Sequence, residues 1–209
     1  MRLVCMSDTH NFVGGVDFEV PDGDVLIHAG DATNLGTDEE VLGFLAWFRS
    51  LPHPHKIFVP GNHDRMFDGA DVGAMQAELR SYGVTLLHDS RTIIDGVRFY
   101  GSPWCLEFGP WACGVKPGEE ARAKWAQIDP KTDILITHTP AKFCLDRYEG
   151  VNVGCQDLAD RIAVVRPSVH VFGHIHECSG QDSFNFVYAV NAAVCYAQYS
   201  PSNPCRIFD

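Results

Sequence analysis

None of the eight cysteines stands in a C-x-x-C pair, so neither a zinc ribbon nor a thioredoxin-like site is written into the chain. Cys5, Cys105, Cys113, Cys144, Cys155, Cys178, Cys195 and Cys205 are scattered, which is the pattern of reduced, mostly buried thiols rather than a disulfide framework. Basic residues are also few, with 16 Lys and Arg against 27 Asp and Glu and a formal charge of −11. That balance argues against a surface that grips extended nucleic acid through its phosphates or lies on anionic lipid. Any phosphate-bearing partner must be captured locally. No stretch approaches the roughly 18 uninterrupted apolar residues of a membrane span. The opening "MRLVCMSDTH" runs into a strand-like segment without a charged leader, so the expectation is a soluble cytoplasmic protein. Repeats, low-complexity tracts and linkers are missing too, and residues 1–209 read as a single domain.

What is present is a recurrence of short β-branched and aliphatic runs, at 2–6, 24–30, 56–61, 97–101, 133–138, 169–174 and 184–190. Bounded by Gly, Pro, Asp or Asn, they read as strands buried on both faces. Helical patterns lie between several of them. Residues 37–51 open on a Thr cap with Glu40 three residues later, then space Val41, Leu42, Leu45, Trp47 and Phe48 along one face. Residues 71–83 end at a glycine and 155–167 stop at a proline. The stretch 106–120, rich in Gly, Pro and aromatics and without a period, reads as a long surface loop. Strands alternating with helices define an α/β fold, with chemistry at the loops that follow strand carboxyl ends.

Those loops share a composition. After "LVCM" come Ser7-Asp8-Thr9-His10; after "VLIHA", Gly30-Asp31; after "IFVP", Gly61-Asn62-His63-Asp64; after "ILIT", His138; after "HVF", Gly173-His174-Ile175-His176. Oxygen and imidazole donors without sulfur are the ligand set of a transition-metal site. Residues two apart in extended chain face the same way, so Asp8 pairs with His10 and His174 with His176. Together with Asp31, Asn62 and His138 they exceed what one zinc ion takes and suit two metals sharing a carboxylate. His28, in mid-strand, reads as a core histidine, and His53, His55, His88 and His170 as structural. Asn34, Phe67, Trp104 and Trp111 are weaker candidates, with packing roles as good an account as substrate contact.

The ordered set D-x-H, G-D-x-x, G-N-H-D, a lone H and G-H-x-H over residues 8–176 resembles the signature of the calcineurin-like metallophosphoesterases. "GDATNLGTDEE", "LPHPHKIFVPGNHD", "YGSPW", "VFGHIHE" and the closing "SPSNPCRIFD" extend the resemblance to the metallophosphoesterase domain-containing branch over nearly the whole chain. The resemblance implies a four-layer α/β/β/α sandwich of two mixed sheets flanked by helices. It also implies that Asp8, His10 and His176 bind a first divalent metal, that Asn62, His138 and His174 bind a second, and that Asp31 bridges them. His63 would be the catalytic acid and Asp64 the residue that orients it, with loop capping the other reading of Asp64.

Two divalent ions would create a local anion trap inside an acidic protein, polarise the phosphoryl group and generate a nucleophile from water. Mn²⁺ is the expected metal from the hard-to-intermediate donors, ahead of Fe, Zn, Co or Mg. The leading expectation is a phosphodiesterase acting on small phosphodiesters, with the resemblance pointing to cyclic nucleotides. The alternatives are a phosphomonoesterase or protein phosphatase, a nuclease, and a metal-dependent nucleotide-binding or scaffold protein. No partner other than a small phosphodiester or nucleotide is expected, neither extended nucleic acid nor membrane, and oligomeric state has no signal in the chain.

Overall fold

Residues 1–12, 18–196 and 199–209 are described by a computed structural model. Its strands are β1 (Leu3–Met6), β2 (Val25–His28), β3 (His55–Phe58), β4 (Thr85–Leu86), β5 (Ser90–Ile94), β6 (Val97–Ser102), β7 (Cys105–Leu106), β8 (Gly114–Val115), β9 (Ile134–Thr137), β10 (Arg147–Tyr148), β11 (Val151–Asn152), β12 (Val169–Phe172), β13 (Gly180–Phe184), β14 (Val187–Asn191) and β15 (Arg206–Phe208). The longer helices are α1 (Asp38–Ser50), α2 (Val72–Ser81), α3 (Glu119–Trp125) and α4 (Gln156–Val165).

Alternation along the strands decides the layering. In β1, Leu3 and Cys5 enter one apolar cluster while Val4 and Met6 enter another. In β9, Ile134 and Ile136 join Leu3 and Cys5, while Leu135 turns away. A strand buried on both faces has to be covered twice, and it is. A five-stranded sheet, in the order β15-β1-β2-β3-β4, packs through the shared cluster against a six-stranded sheet, β13-β14-β12-β9-β6-β5. Val41, Phe44, Leu45 and Phe48 of α1, with Leu79 of α2, cover the outer face of the first sheet. Trp125 of α3 and Leu158, Ile162 and Val165 of α4 cover the outer face of the second. The expected four-layer α/β/β/α sandwich is therefore the fold.

Local signals place the helices well. Thr37 caps α1, its Oγ1 accepting from the Glu40 amide at 3.3 Å while Glu40 Oε2 accepts from the Thr37 amide at 3.1 Å, a reciprocal capping box. Asp71 caps α2. α4 ends at Arg166, whose φ of 52° turns the chain just before Pro167.

Three expectations are corrected. Residues 184–190 are not one strand: Asn185 and Phe186, with φ of 50° and 66°, form the two-residue turn of the β13–β14 hairpin. The stretch 106–120 is not all loop, because β7 and β8 pair within it and α3 begins at Glu119. β5 lies outside every expected run, though Asp95-Gly96 after it carries the hairpin signal. All eight cysteines are free, as expected. Among the described residues no helix is long and apolar enough to cross a membrane.

Candidate active site

The parallel strands of both sheets deliver their carboxyl ends to one place. The Asp8 amide donates to Gly30 O at 2.8 Å and the His10 amide to Asp31 O at 3.0 Å, which locks the loop after β1 onto the loop after β2. The Gly173 amide donates to His138 O at 3.0 Å and does the same for the loops after β9 and β12. The resulting turns are tight. Asp8, His10, Asp31 and His174 have φ of 54°, 45°, 56° and 70°, a left-handed conformation that disfavours side chains by about 1–2 kcal/mol each. Such strain persists only where surrounding contacts fix it. Two glycines make room: a Cβ on Gly61 would run into Asp31 and His138, and one on Gly173 into Asp8 and Ser7.

Two groups of donors converge there, linked by a third. The ligating atoms of Asp8, His10 and His176 lie within 4.8 Å of one another, as do those of Asp31, His138 and His174, and those of His10, Asp31 and His63 form a third such group across them. His176 Nε2 is 3.3 Å from Asp8 Oδ1 and 3.2 Å from His10 Nε2. His138 Nδ1 donates to Ala29 O at 2.9 Å, which aims Nε2 at Asp31 Oδ2, 3.3 Å away, and at Asn62 Oδ1, 2.9 Å away. Asp31 also approaches His10 Nε2 at 3.9 Å, so its carboxylate stands between the two groups.

Burial and charge pull against each other at this floor. Burial would raise the Asp8 carboxyl, but the hydrogen bond and charge of His176, with His138 beyond, hold it down at about 2. Burial would likewise lower His138, yet the charge and hydrogen bond of Asp31, aided by Asp8, push it up to about 9. His10 and His174 are driven down to about 4, chiefly by burial. The buried carboxylates thus collect protons on neighbouring imidazoles. His10 and His176 present ring nitrogens to each other across 3.2 Å, where one shared proton can satisfy them only in part and a divalent cation could take both lone pairs. Carboxylate, amide and imidazole donors without sulfur fit such a cation.

The residues of the G-N-H-D loop separate in their roles. The His63 amide donates to Asp31 Oδ1 at 2.8 Å, and its ring Nδ1 donates to Asn34 O at 2.8 Å. The ring packs against Trp111, tilted by 32° with centroids 4.1 Å apart, and meets His10 at 4.7 Å. Of the two readings its sequence position left open, the Asp64 carboxylate fits loop capping: it makes no hydrogen bond to this ring. Its carboxylate accepts from the Gly61 amide at 2.8 Å, the Thr33 amide at 3.0 Å and Thr33 Oγ1 at 2.8 Å. A fully buried carboxylate takes the nearest backbone donors, and the Asn34 carbonyl takes the ring. Burial, with the charge of Asp31 behind it, pushes the Asp64 carboxyl up to about 6.

Above the donors opens a cavity of about 600 Å³. His10, Asp31, Asn62, His63, His174 and His176 reach its surface. Sequence reasoning missed its walls: Glu107, Phe108, Tyr148, Glu177 and Tyr199, which stand on irregular segments or short ladders with no periodic signal. Tyr199 packs edge-on to His10 at 4.3 Å. Phe67 and Trp104 line a separate depression instead, and Trp104 Nε1 is committed to Asp89 Oδ2 at 2.8 Å.

A two-sheet sandwich with paired donor groups at its strand ends is the frame of a metal-dependent phosphoesterase. The chain belongs to the calcineurin-like phosphoesterase family, which it matches over residues 1–178, and the family uses a binuclear divalent-metal centre. Among curated proteins it is 38% identical over 231 residues to metallophosphoesterase domain-containing protein 1 of Homo sapiens, covering 100% of this chain and 70% of that one. It is 37% identical over 227 residues to a UPF0046 protein of Caenorhabditis elegans, covering 100% and 80%. Among solved structures, the phosphopantetheinyl hydrolase of Mycobacterium tuberculosis superposes with a TM-score of 0.67 at 18% identity, covering 94% of this chain and 90% of that chain. At that identity the likeness speaks for the fold.

Proposed function

We propose that this phosphoesterase hydrolyses small phosphodiesters, cyclic nucleotides among them, with Asp8, His10 and His176 holding one divalent ion, Asn62, His138 and His174 a second, and Asp31 placed between the two. Bound there, the ions supply Lewis-acid activation of the phosphoryl group and of the attacking water, with Mn²⁺ suited to the donors. The observation that carries the choice of a diester is the cavity wall. Among the described residues lining it none is Lys or Arg, while Glu107 and Glu177 are carboxylates. Arg91 is spent on Asp129 at the surface. A monoester dianion brings a further negative charge that such a wall would oppose; a diester monoanion does not.

His63 is the proton donor for the leaving oxygen. It stands at the cavity surface with Nδ1 held by the Asn34 carbonyl, so Nε2 is the atom available to a substrate. Packing against Trp111, 4.1 Å away between centroids, confines the ring. Asp64 acts one step back, pinning the loop backbone. A general acid is worth about 10²- to 10⁴-fold when the leaving group is an alkoxide. The test is turnover of bis(p-nitrophenyl) phosphate beside p-nitrophenyl phosphate, and of an alkyl phosphodiester, in Mn²⁺, for the parent and His63→Ala. Diester hydrolysis should exceed monoester hydrolysis and fall by about 10²-fold or more in the variant on an alkyl diester, with metal content unchanged. Preference for the monoester would overturn the diesterase reading. Metal loading without turnover of either ester would leave a nucleotide-binding role in its place.

A further inference from the structure

His28 and His170, core residues on the sequence reading, occupy matching places on the helix-facing sides of the two sheets. His28 ends β2 with its ring enclosed by Phe44, Phe48 and Phe58, and His170 lies in β12 beside Phe172. In both rings Nδ1 is buried without a partner. His28 Nε2 meets Thr9 Oγ1 at 2.9 Å, and His170 Nε2 meets Thr137 Oγ1 at 2.8 Å. Each threonine adjoins metal donors: Thr9 sits between Asp8 and His10, and Thr137 precedes His138. Each hydroxyl then reaches a backbone carbonyl, Thr137 to Thr139 O at 2.7 Å and Thr9 to Ala32 O at 3.4 Å.

Hydrogen-bond counting sets the direction. With the ring proton on Nε2, the imidazole donates to the hydroxyl and the hydroxyl donates to the carbonyl, which makes two bonds. With the proton on Nδ1, that N–H is buried unpartnered, the hydroxyl turns to Nε2 and its bond to the carbonyl is lost, although Ala32 O keeps the Asn11 amide at 2.9 Å. Burial holds both rings neutral, at about 3, so one proton per ring is available. A buried donor left without a partner is destabilising, so the tautomer protonated on Nε2 is favoured.

We propose that His28 and His170 are positioning residues: each fixes, through a threonine hydroxyl, one of the loops that present the metal donors, the Asp8–His10 loop from behind the first sheet and the His138 loop from behind the second. The left-handed backbone at Asp8 and His10 supplies the need, since a strained turn relaxes unless contacts on both sides hold it. His138 Nδ1 and the Asp31 carboxylate brace the loops from within the site; the two relays brace them from outside.

The inference rests on Asp8, His10 and His138 being ligands, and its test separates the two ideas. Mn²⁺ is titrated calorimetrically into the metal-stripped full chain, for the parent, His28→Phe, His170→Phe and the near-isosteric Thr9→Val and Thr137→Val. Loss of an outer partner typically weakens metal affinity by 10- to 100-fold, and that is the expected loss for each variant. The pair His28→Phe with Thr9→Val should be no weaker than either alone, because both break one relay. His28→Gln, whose amide N–H sits near the position of Nε2, should restore affinity to within about threefold of the parent. Long-range proton–nitrogen NMR of the metal-free chain should show both rings protonated on Nε2. A parent that binds no metal defeats the ligand assignment, and the relays lose their purpose with it. A parent that binds metal while all four single variants match it within threefold, or rings protonated on Nδ1, defeats the relays alone. A variant that only destabilises the fold lowers the melting temperature without moving the metal affinity of its folded form, and that result also counts against them.

Discussion

At the floor of the cavity Asp8, Asp31 and His138 are 0%, 2% and 0% exposed, whereas at its rim Phe108, Tyr148 and Tyr199 are 46%, 46% and 52% exposed. Floor residues are tied to backbone groups from both sheets, and their ionisation is set by neighbours they cannot escape. Rim residues stand on segments with little regular structure and few fixed partners. A buried charge has to be matched within a few tenths of an ångström, while an exposed aromatic can change without disturbing the fold. The proposed chemistry therefore rests on the fixed floor, while the rim is free to vary.

The sharpest way to break that division is Asp31→Asn, which removes the carboxylate shared by the two donor groups. Metal affinity should fall by at least about 10³-fold and activity with it, as read by metal analysis after dialysis. Next comes the pH response of the metal-free chain. His138 is raised from 6.5 to about 9, so its stabilising contribution is complete below pH 6.5 and is lost as pH climbs through 9. The unfolding free energy from denaturant titrations should drop over that window by on the order of 1–3 kcal/mol, and stay level in the metal-loaded chain, where the imidazole has no proton to give up. Phe108→Ala probes the rim: KM for an aromatic diester should rise about tenfold, the loss expected for one stacking contact, with two metals still bound. The smallest effect tests a place remote from both. Thr37→Ala removes the hydroxyl that caps α1 and should cost about 1 kcal/mol, a melting shift of about 2–4 °C, with kcat unchanged. A Thr37→Ala variant that loses metal, or a Phe108→Ala variant that does, would erase the distinction between floor and rim.

The same division explains what could be read from the chain alone. Floor residues sit at the ends of short apolar runs buried on both faces, and Gly30, Gly61 and Gly173 stand just before three of the donors, so Asp8, His10, Asp31, Asn62, His138, His174 and His176 could be named together. α1, α2 and α4 announce themselves by caps and stops. Phe108 and Tyr148 carry no such mark, because nothing local distinguishes an aromatic that overhangs a cavity from one that packs in a loop. The two readings of Asp64 could not be separated for a related reason: adjacency to His63 in the chain says nothing about which way the carboxylate turns, and the Thr33 and Gly61 donors arrive from distant or backbone positions. The β13–β14 turn was hidden because Phe186, 98% exposed, looks apolar enough to belong to a strand. The DG step after β5 was visible and points to a hairpin that the aliphatic runs alone did not suggest.

The antiparallel pairing of β15 with β1, Leu3 opposite Phe208, carries a consequence for how the protein is made. During synthesis Asp8, His10 and Asp31 leave the ribosome long before His174 and His176, and the edge strand that completes their sheet comes later still. At about 5–20 residues per second the early donors wait on the order of 10–30 s for the late ones. Until His174 and His176 emerge, each of the two proposed ligand sets lacks one donor, so on that assignment tight metal loading is one of the last events in the maturation of the enzyme.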